Sequence, residues 1–313
     1  TEELEHALVV DGVAPSRIIG TTFTVKAAGE LRERVRERLI RSGRPEPAEQ
    51  TAQALIGTVH SACERLLKRF AFELGLSPEL HVASLEDCGA LFREALDDAL
   101  AATDVRRMNA INTRLDIRDA DNKLQDWRDD VKKLIDRARD NDVGPAALRE
   151  MGRSSAAALL GYFPKPENGK WDDALLAAVQ QALHAIDLKL DTTIGTAKYH
   201  RELRAAIYRL RRPPCPWSVW IKLSHAEATK RSEPIAAKVR AAAAVYDKHP
   251  LFHSDVKDYI ENVYSIAAQT LARFQDIKKE RGLIDFPDME QLTLRALDDA
   301  AVRARLGQEL ELL

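Results

Sequence analysis

The residues best suited to chemistry fall in two short stretches, Thr22-Phe23-Thr24-Val25-Lys26 and Thr58-Val59-His60-Ser61. Each sets hydroxyls beside a ring, where a strand-like run gives way to a helical pattern. A strand that ends in a helix N-terminus presents free backbone N–H groups and the positive end of the helix dipole, which suits a phosphate. Thr22, Thr24, Thr58 and Ser61 add hydroxyls, His60 an imidazole, Lys26 a cation, and Phe23 a face on which a base can stack. Such groups grip a backbone; they do not break bonds. The plain alternative at the first turn is that Phe23 is core and Thr24 only caps. At the second it is a simple N-terminal cap, with Ser61 and Glu64 in capping-box spacing.

No catalytic constellation accompanies them. The chain holds no G-x-x-x-x-G-K-[ST], no G-x-G-x-x-G and no H-E-x-x-H. Its eight histidines and three cysteines show no zinc spacing, and no serine stands in a nucleophile elbow. The aspartates from Asp116 to Asp130 lack the loop glycine and the closing glutamate of a calcium site, and read as a solvated helix face.

Two strand–turn–helix units must position the two turns. Ala27, Leu31, Val35 and Leu39 recur every four residues behind the first. The strand "TAQALIGT" runs to Thr58, with Leu66, Leu67 and Phe70 on the buried side of the helix after it. After Leu76 the strands stop. Periodicity then predicts helices near 86–102, 104–141, 145–160, 171–189, 195–211 and 235–247, broken at "YFPKPENGKW" and at the connector "RRPPCPW". A long helix follows from Val256 to Arg281, with Tyr259, Val263, Ile266, Leu271, Phe274 and Ile277 on one face and Gly282 as its stop. Asp285 is placed to cap the next helix, with Asp288 in its first turn and Pro287 tolerated there. The closing "GQELELL" alternates as the start of a strand does. So few strands cannot make a self-sufficient sheet. The reading is an α/β fold holding part of a sheet, a piece of something longer.

Composition narrows the class. The 313 residues, 45% hydrophobic and 31% charged, suit a soluble protein of two domains, or of one domain with a large insertion. No membrane-length apolar run and no signal-peptide pattern occurs. Three scattered cysteines argue for a reducing, cytoplasmic setting. Net charge is only −2, but Lys198 to Arg240 carries eleven Lys or Arg against three Glu, and Lys26 to Arg69 ten against six. Tyr199, Tyr208, Trp217 and Trp220 stand within the first of these islands. It reads either as a phosphate-tracking surface or as a solvated face with the tryptophans packed inside.

The residues carry a resemblance. "TFTVKAAGELRERV" resembles the "TFTNKAAxEMxxRv" motif of UvrD/Rep-type superfamily 1 DNA helicases, "GTVHSACERLLKRF" their "GTFHSFCxRLLR", and "RFQDIKKERGLIDFPDMEQLTLRAL" the stretch ahead of their Walker B strand. The three motifs keep the family order and cover about 70 residues; the helical middle matches in placement only, and its length suits the AddA/RecB-like branch. The resemblance implies a partial RecA-like P-loop motor domain with a large, mostly α-helical insertion. Residues 1–75 and 276–313 would be motor, and 76–275 the inserted subdomain. It implies that Thr22, Phe23, Thr24 and Lys26 belong to the single-stranded DNA track, and that Thr58, His60 and Ser61 hold backbone phosphates. It also implies that the parent is an ATP-dependent 3′→5′ helicase or helicase-nuclease of repair or recombination. Such a parent uses ATP and Mg²⁺, acts at a single-strand/duplex junction, and can have a nuclease or helicase partner subunit. The fragment, lacking both nucleotide motifs, would hold neither ATP nor Mg²⁺ and would not hydrolyse ATP alone. Val25, Val59 and Ala62 depart from the motifs, where Asn, an aromatic or Ile, and Phe are usual. The rival reading is a non-catalytic helical module that binds DNA or a partner.

Overall fold

The computed structural model describes residues 6–310 apart from 9, 52, 53, 78 and 213. The chain divides into two compact units, one made of Thr1–Arg93 with Gln275–Leu313 and the other of Glu94–Phe274.

In the first unit, strand β1 (Ile19–Thr22) leads into a helix over Val25–Arg41 and a short one over Pro45–Gln50. Strand β2 (Leu55–Thr58) then pairs with β1 in parallel, Ile19 opposite Leu55 through to Thr22 opposite Thr58. Parallel strands need a crossover, and the Val25–Arg41 helix supplies it. It buries Ala28, Val35 and Leu39, with Leu8, Ile18 and Ala48 in the same cluster. Ala27, expected on that face, is exposed. Arg32 turns inward and donates to the Ile56 carbonyl of β2 at 2.5 Å, whereas Arg36 and Arg41 pair with Glu33 and Glu37 on their own helix.

Strand β3 (His81–Val82) breaks the expectation that strands end at Leu76. It pairs in parallel with β4 (Leu283–Ile284). A two-residue strand has no alternation to read. The helices Phe286–Asp298 and Ala300–Glu309 complete the unit. Cys63, Leu67, Leu80, Ile284 and Met289 form one buried cluster, and Phe70, Ala296, Val302 and Leu306 another. The closing segment is helical to Glu309, against the strand expected there; residues 311–313 of that expectation lie outside the described residues.

The second unit is helical. The single helix expected over 104–141 is two, Ala102–Leu115 and Trp127–Asp140. Asp116 ends the first in the left-handed region at φ 52°, a conformation that short polar side chains tolerate. Helices follow over Pro145–Leu160, Trp171–Ala185 and Ile194–Leu210. Next comes Trp217–Ser224, inside what reads from sequence as a connector: Pro216 stands at its N-cap, so the prolines launch a helix rather than only separating two. After Glu233–Ala244, the long helix starts at Pro250, six residues before the expected Val256, and runs to Glu280. The unit's core gathers Leu175, Val179, Tyr199, Leu203, Trp217, Trp220, Val239 and Phe252.

The protein is thus mostly helical with a few short parallel strands, and α/β layering is confined to the first unit. Among the described residues no helix is long and apolar enough to cross a membrane.

Candidate nucleic-acid interface

Parallel register decides the geometry. Because Thr22 pairs with Thr58, both turns leave the sheet side by side at the carboxyl ends of neighbouring strands, the edge where open α/β sheets bind ligands. At the first turn, Thr24 caps the Val25–Arg41 helix: its Oγ1 accepts from the Ala27 N–H at 3.1 Å. The Thr22 hydroxyl donates to the Thr24 carbonyl at 3.0 Å, tying the turn to the strand. Phe23 is 97% exposed, which removes its core alternative. A fully solvated phenyl ring is costly unless something covers it. Lys26 is also exposed and lies 4.0 Å from Glu30.

At the second turn the cap is Thr58, not Ser61. Thr58 Oγ1 accepts from the Ser61 N–H at 3.2 Å, and the Ser61 hydroxyl donates back to the Thr58 carbonyl at 2.8 Å. The Ser61–Glu64 capping box expected from spacing is not formed, because the helix already begins at Val59; Glu64 pairs instead with Lys68 at 2.6 Å. Gly57 makes the turn feasible, since a Cβ there would lie 2.1 Å from Ser61 Oγ. Gly57→Ala should therefore force the Ser61 side chain off the Thr58 carbonyl. The expected cost is about 1–3 kcal/mol in a chemical denaturation midpoint; an unchanged midpoint would mean that the turn relaxes freely.

His60 acquires partners that nothing in local spacing announces. Its Nε2 lies 3.1 Å from Glu290 Oε1, and its ring packs on Phe286 with centroids 4.6 Å apart and planes tilted by 58°. Both come from the Phe286–Asp298 helix. Phe286, with Val25, Thr58, His60 and Ser61, lines an open cavity of about 490 Å³. Phe286 thus supplies an aromatic beside His60 where Val59 and Ala62 do not.

The helix that delivers them is anchored as the sequence predicts and more. Asp285 and Asp288 form a capping box: the Asp288 N–H donates to Asp285 Oδ1 at 3.3 Å and the Asp285 N–H to Asp288 Oδ2 at 3.1 Å. Lys278, 3% exposed, donates to Asp285 at 3.3 Å and to Asp288 at 2.5 Å. Burial pushes the Asp288 carboxyl up and the Asp285 charge adds to this, while the Lys278 ammonium pulls it down.

The basic stretch 198–240 does not behave as an aromatic-studded surface. Tyr199, Trp217 and Trp220 are buried, and only Tyr208 is exposed, with Arg212 over its ring. The packed alternative holds for the tryptophans. The stretch does border a cavity of about 670 Å³ within the helical unit. Arg209 and Lys222 line it and have no acidic partner among the described residues.

The 313 residues contain no phosphate-binding-loop motif, and among the described residues no group of three or more His, Cys, Asp or Glu is placed to hold a metal ion.

Comparison with known proteins gives a consistent set of relatives. The family model of the UvrD/REP helicase N-terminal domain matches residues 1–312. Over 333 residues the chain is 24% identical to an ATP-dependent helicase/nuclease subunit of Geobacillus thermodenitrificans (strain NG80-2), covering 90% of this chain and 26% of the relative. It is 22% identical over 347 residues to the subunit of the same name from Bacillus cereus (strain ZK / E33L), with the same coverage. A shorter stretch of 85 residues, 24% of this chain and 7% of the relative, is 38% identical to the equally named protein of Streptococcus sanguinis (strain SK36). The chain spans about a quarter of the length of the first and second of these relatives.

Proposed function

The chain belongs to the UvrD/REP helicase N-terminal domain family, and from that premise we propose that the two turns of its first unit form a track for single-stranded DNA. Phe23 stacks on a base, the Thr24 and Thr58 turns and Ser61 meet successive phosphates, and His60 and Lys26 supply cationic contacts. The first unit is then part of a RecA-like motor domain and the helical unit its insertion. The whole protein is an ATP-dependent 3′→5′ DNA helicase or helicase-nuclease of repair or recombination. ATP and Mg²⁺ bind to parts of it that carry the nucleotide motifs, and a nuclease or helicase subunit is its partner. The observation that carries this reading is the pairing of Thr22 with Thr58, which sets an exposed phenyl ring beside a second, imidazole-bearing helix N-terminus.

The test is fluorescence anisotropy of the 313-residue chain with labelled oligo(dT). Phe23→Ala should raise Kd by about 5- to 150-fold, the worth of one base–aromatic stack, and His60→Ala should raise it less. Wild-type affinity in both variants would remove the track. A second reading, a module that binds through its helical unit, is favoured by Arg209 and Lys222 at the larger cavity. It requires that Arg209→Glu with Lys222→Glu abolish binding while Phe23→Ala leaves it intact.

A further inference from the structure

We propose that the cavity of about 670 Å³ in the helical unit is a site for a nucleotide bearing a terminal phosphate, which Arg209 and Lys222 hold. Its volume lies in the range of small-molecule sites, ~300–1,000 Å³. Every residue involved falls within Glu94–Phe274, so the site is independent of the DNA track in the other unit.

Two helices build the walls. Along Ile194–Leu210 the cavity is lined by Lys198, Glu202, Ala205, Ala206 and Arg209, a single stripe at helical spacing. Along Trp217–Ser224 it is lined by Ser218, Val219, Lys222 and Leu223. Ala205 and Ala206 are small and leave room, while Val219 and Leu223 offer apolar surface on which a flat ring can lie.

The charges decide what enters. Arg118 pairs with Asp116 at 2.7 Å, and Asp116 also accepts from the Ser218 hydroxyl. Lys198 lies 3.9 Å from Glu202. Arg209 and Lys222 have no acidic partner among the described residues, and Glu227 on the same cavity has no cationic one. Two unmatched cations suit a dianion. A terminal phosphate monoester carries about −1.5 to −2 near neutrality, whereas a phosphodiester inside a strand carries about one charge. A guanidinium can fork onto two phosphate oxygens, and an ammonium adds a point charge. Glu227 offers acceptors alone, so it calls for a donor on the same ligand, such as an exocyclic amine or a sugar hydroxyl. Inorganic phosphate leaves the apolar surface empty, and a bare nucleoside leaves the two cations unmatched. A nucleotide with a terminal phosphate answers all three, whether it is free or the end of a strand.

The experiment is titration calorimetry of the 313-residue chain with deoxyadenosine 5′-monophosphate, deoxyadenosine and inorganic phosphate as separate probes. Beside it, anisotropy compares 5′-phosphorylated with 5′-hydroxyl oligo(dA). In one assay or both, the phosphorylated probe should bind at least about tenfold more tightly than its unphosphorylated partner, the worth of one charge-assisted hydrogen bond. A preference shown by the mononucleotide assigns the site to free nucleotides; one confined to the oligonucleotide assigns it to strand ends. Arg209→Gln and Lys222→Gln should each weaken the phosphorylated probe about tenfold or more and leave its partner unchanged. Ala205→Phe should abolish the preference by filling the space. Arg204→Gln removes the same kind of charge from the same helix outside the cavity, and it should leave the preference intact. Absence of a phosphate preference in both assays would overturn the proposal. So would a preference that survives Arg209→Gln and Lys222→Gln, or one that Arg204→Gln reduces equally. Inorganic phosphate bound as tightly as the mononucleotide would reduce the cavity to a bare anion site and overturn it too. None of these results touches the track, which 5′-hydroxyl oligo(dA) reports separately.

Discussion

Replacing Asp255 with alanine is expected to destabilise the helical unit by about 3–5 kcal/mol, the usual cost of removing one partner of a buried ion pair. Asp255 is 2% exposed and accepts three hydrogen bonds: from Arg114 Nε at 2.8 Å, from Arg114 Nη2 at 2.5 Å, and from Trp217 Nε1 at 2.8 Å. The bonds from Arg114 to the Asp255 carboxylate hold its guanidinium above its ordinary range. Alanine leaves a largely covered guanidinium and a buried indole N–H without their acceptor. Asparagine keeps an acceptor for the indole but gives Arg114 no charge, so Asp255→Asn should fall between wild type and alanine. The chain supplies its own probe, since Trp127, Trp171, Trp217 and Trp220 all lie within Glu94–Phe274. Tryptophan fluorescence during urea unfolding should therefore shift to a lower midpoint, and an unshifted fluorescence transition would refute the assignment.

Lys278→Met should act on the other unit with a similar magnitude, about 3–5 kcal/mol at neutral pH. Methionine fills most of the lysine's volume but leaves Asp285 and Asp288 buried beside one another without that cation. The loss has a pH signature. Burial and the Asp285 charge already raise the Asp288 carboxyl, and only Lys278 opposes them strongly. Without the lysine its folded-state pKa rises further above the unfolded value near about 4. A carboxyl raised on folding takes up its proton more readily in the native state, so the variant loses stability as pH climbs above that value. The gap from wild type should therefore be widest at neutral pH and close on acidification. Ellipticity should report the change while the tryptophan transition stays in place, because the first unit contains no tryptophan. A gap that is constant with pH would mean that the carboxyls are solvated in the variant and that the cluster is not the anchor described.

What the sequence made legible was local. Asp285, Pro287 and Asp288 gave the start of a helix, because a cap, a first-turn proline and an N3 acid lie within four residues. Tyr259, Val263, Ile266, Leu271, Phe274 and Ile277 gave the buried face of the long helix, because a 3.6-residue period survives over many turns. Errors arose where two local solutions compete. Ser61-x-x-Glu64 has the spacing of a capping box, yet Thr58 at the end of β2 is in an extended conformation and reaches the same N–H first. The single helix expected over 104–141 passed over the polar segment after Asp116, where Asp116 and Asn122 take left-handed backbone and Arg118 bridges Leu124. Pro213 to Pro216 looks like a connector because prolines disfavour helix interiors, but Pro216 stands just outside a helix that Trp217 and Trp220 hold in the core.

The site itself divides the same way. Its hydroxyls and rings were readable from type and spacing, and the fate of Phe23 was not, because exposure depends on what else the fold places over a turn. The pair His60–Glu290 was unreadable in principle from one chain: the residues lie in segments separated by the whole helical unit, and β3–β4 pairing with the Lys278 anchor brings them together. That long-range contact sets a carboxylate and a phenyl ring beside the second turn.

The most direct measurement is photo-crosslinking of the 313-residue chain to 5-iodouracil-substituted single-stranded DNA, with the crosslinked peptides identified by mass spectrometry. Crosslinks at Phe23 and at His60 or Phe286, reduced by unlabelled oligo(dT), are the predicted result. Crosslinks confined to residues 94–274 would contradict the account and move the DNA to the helical unit.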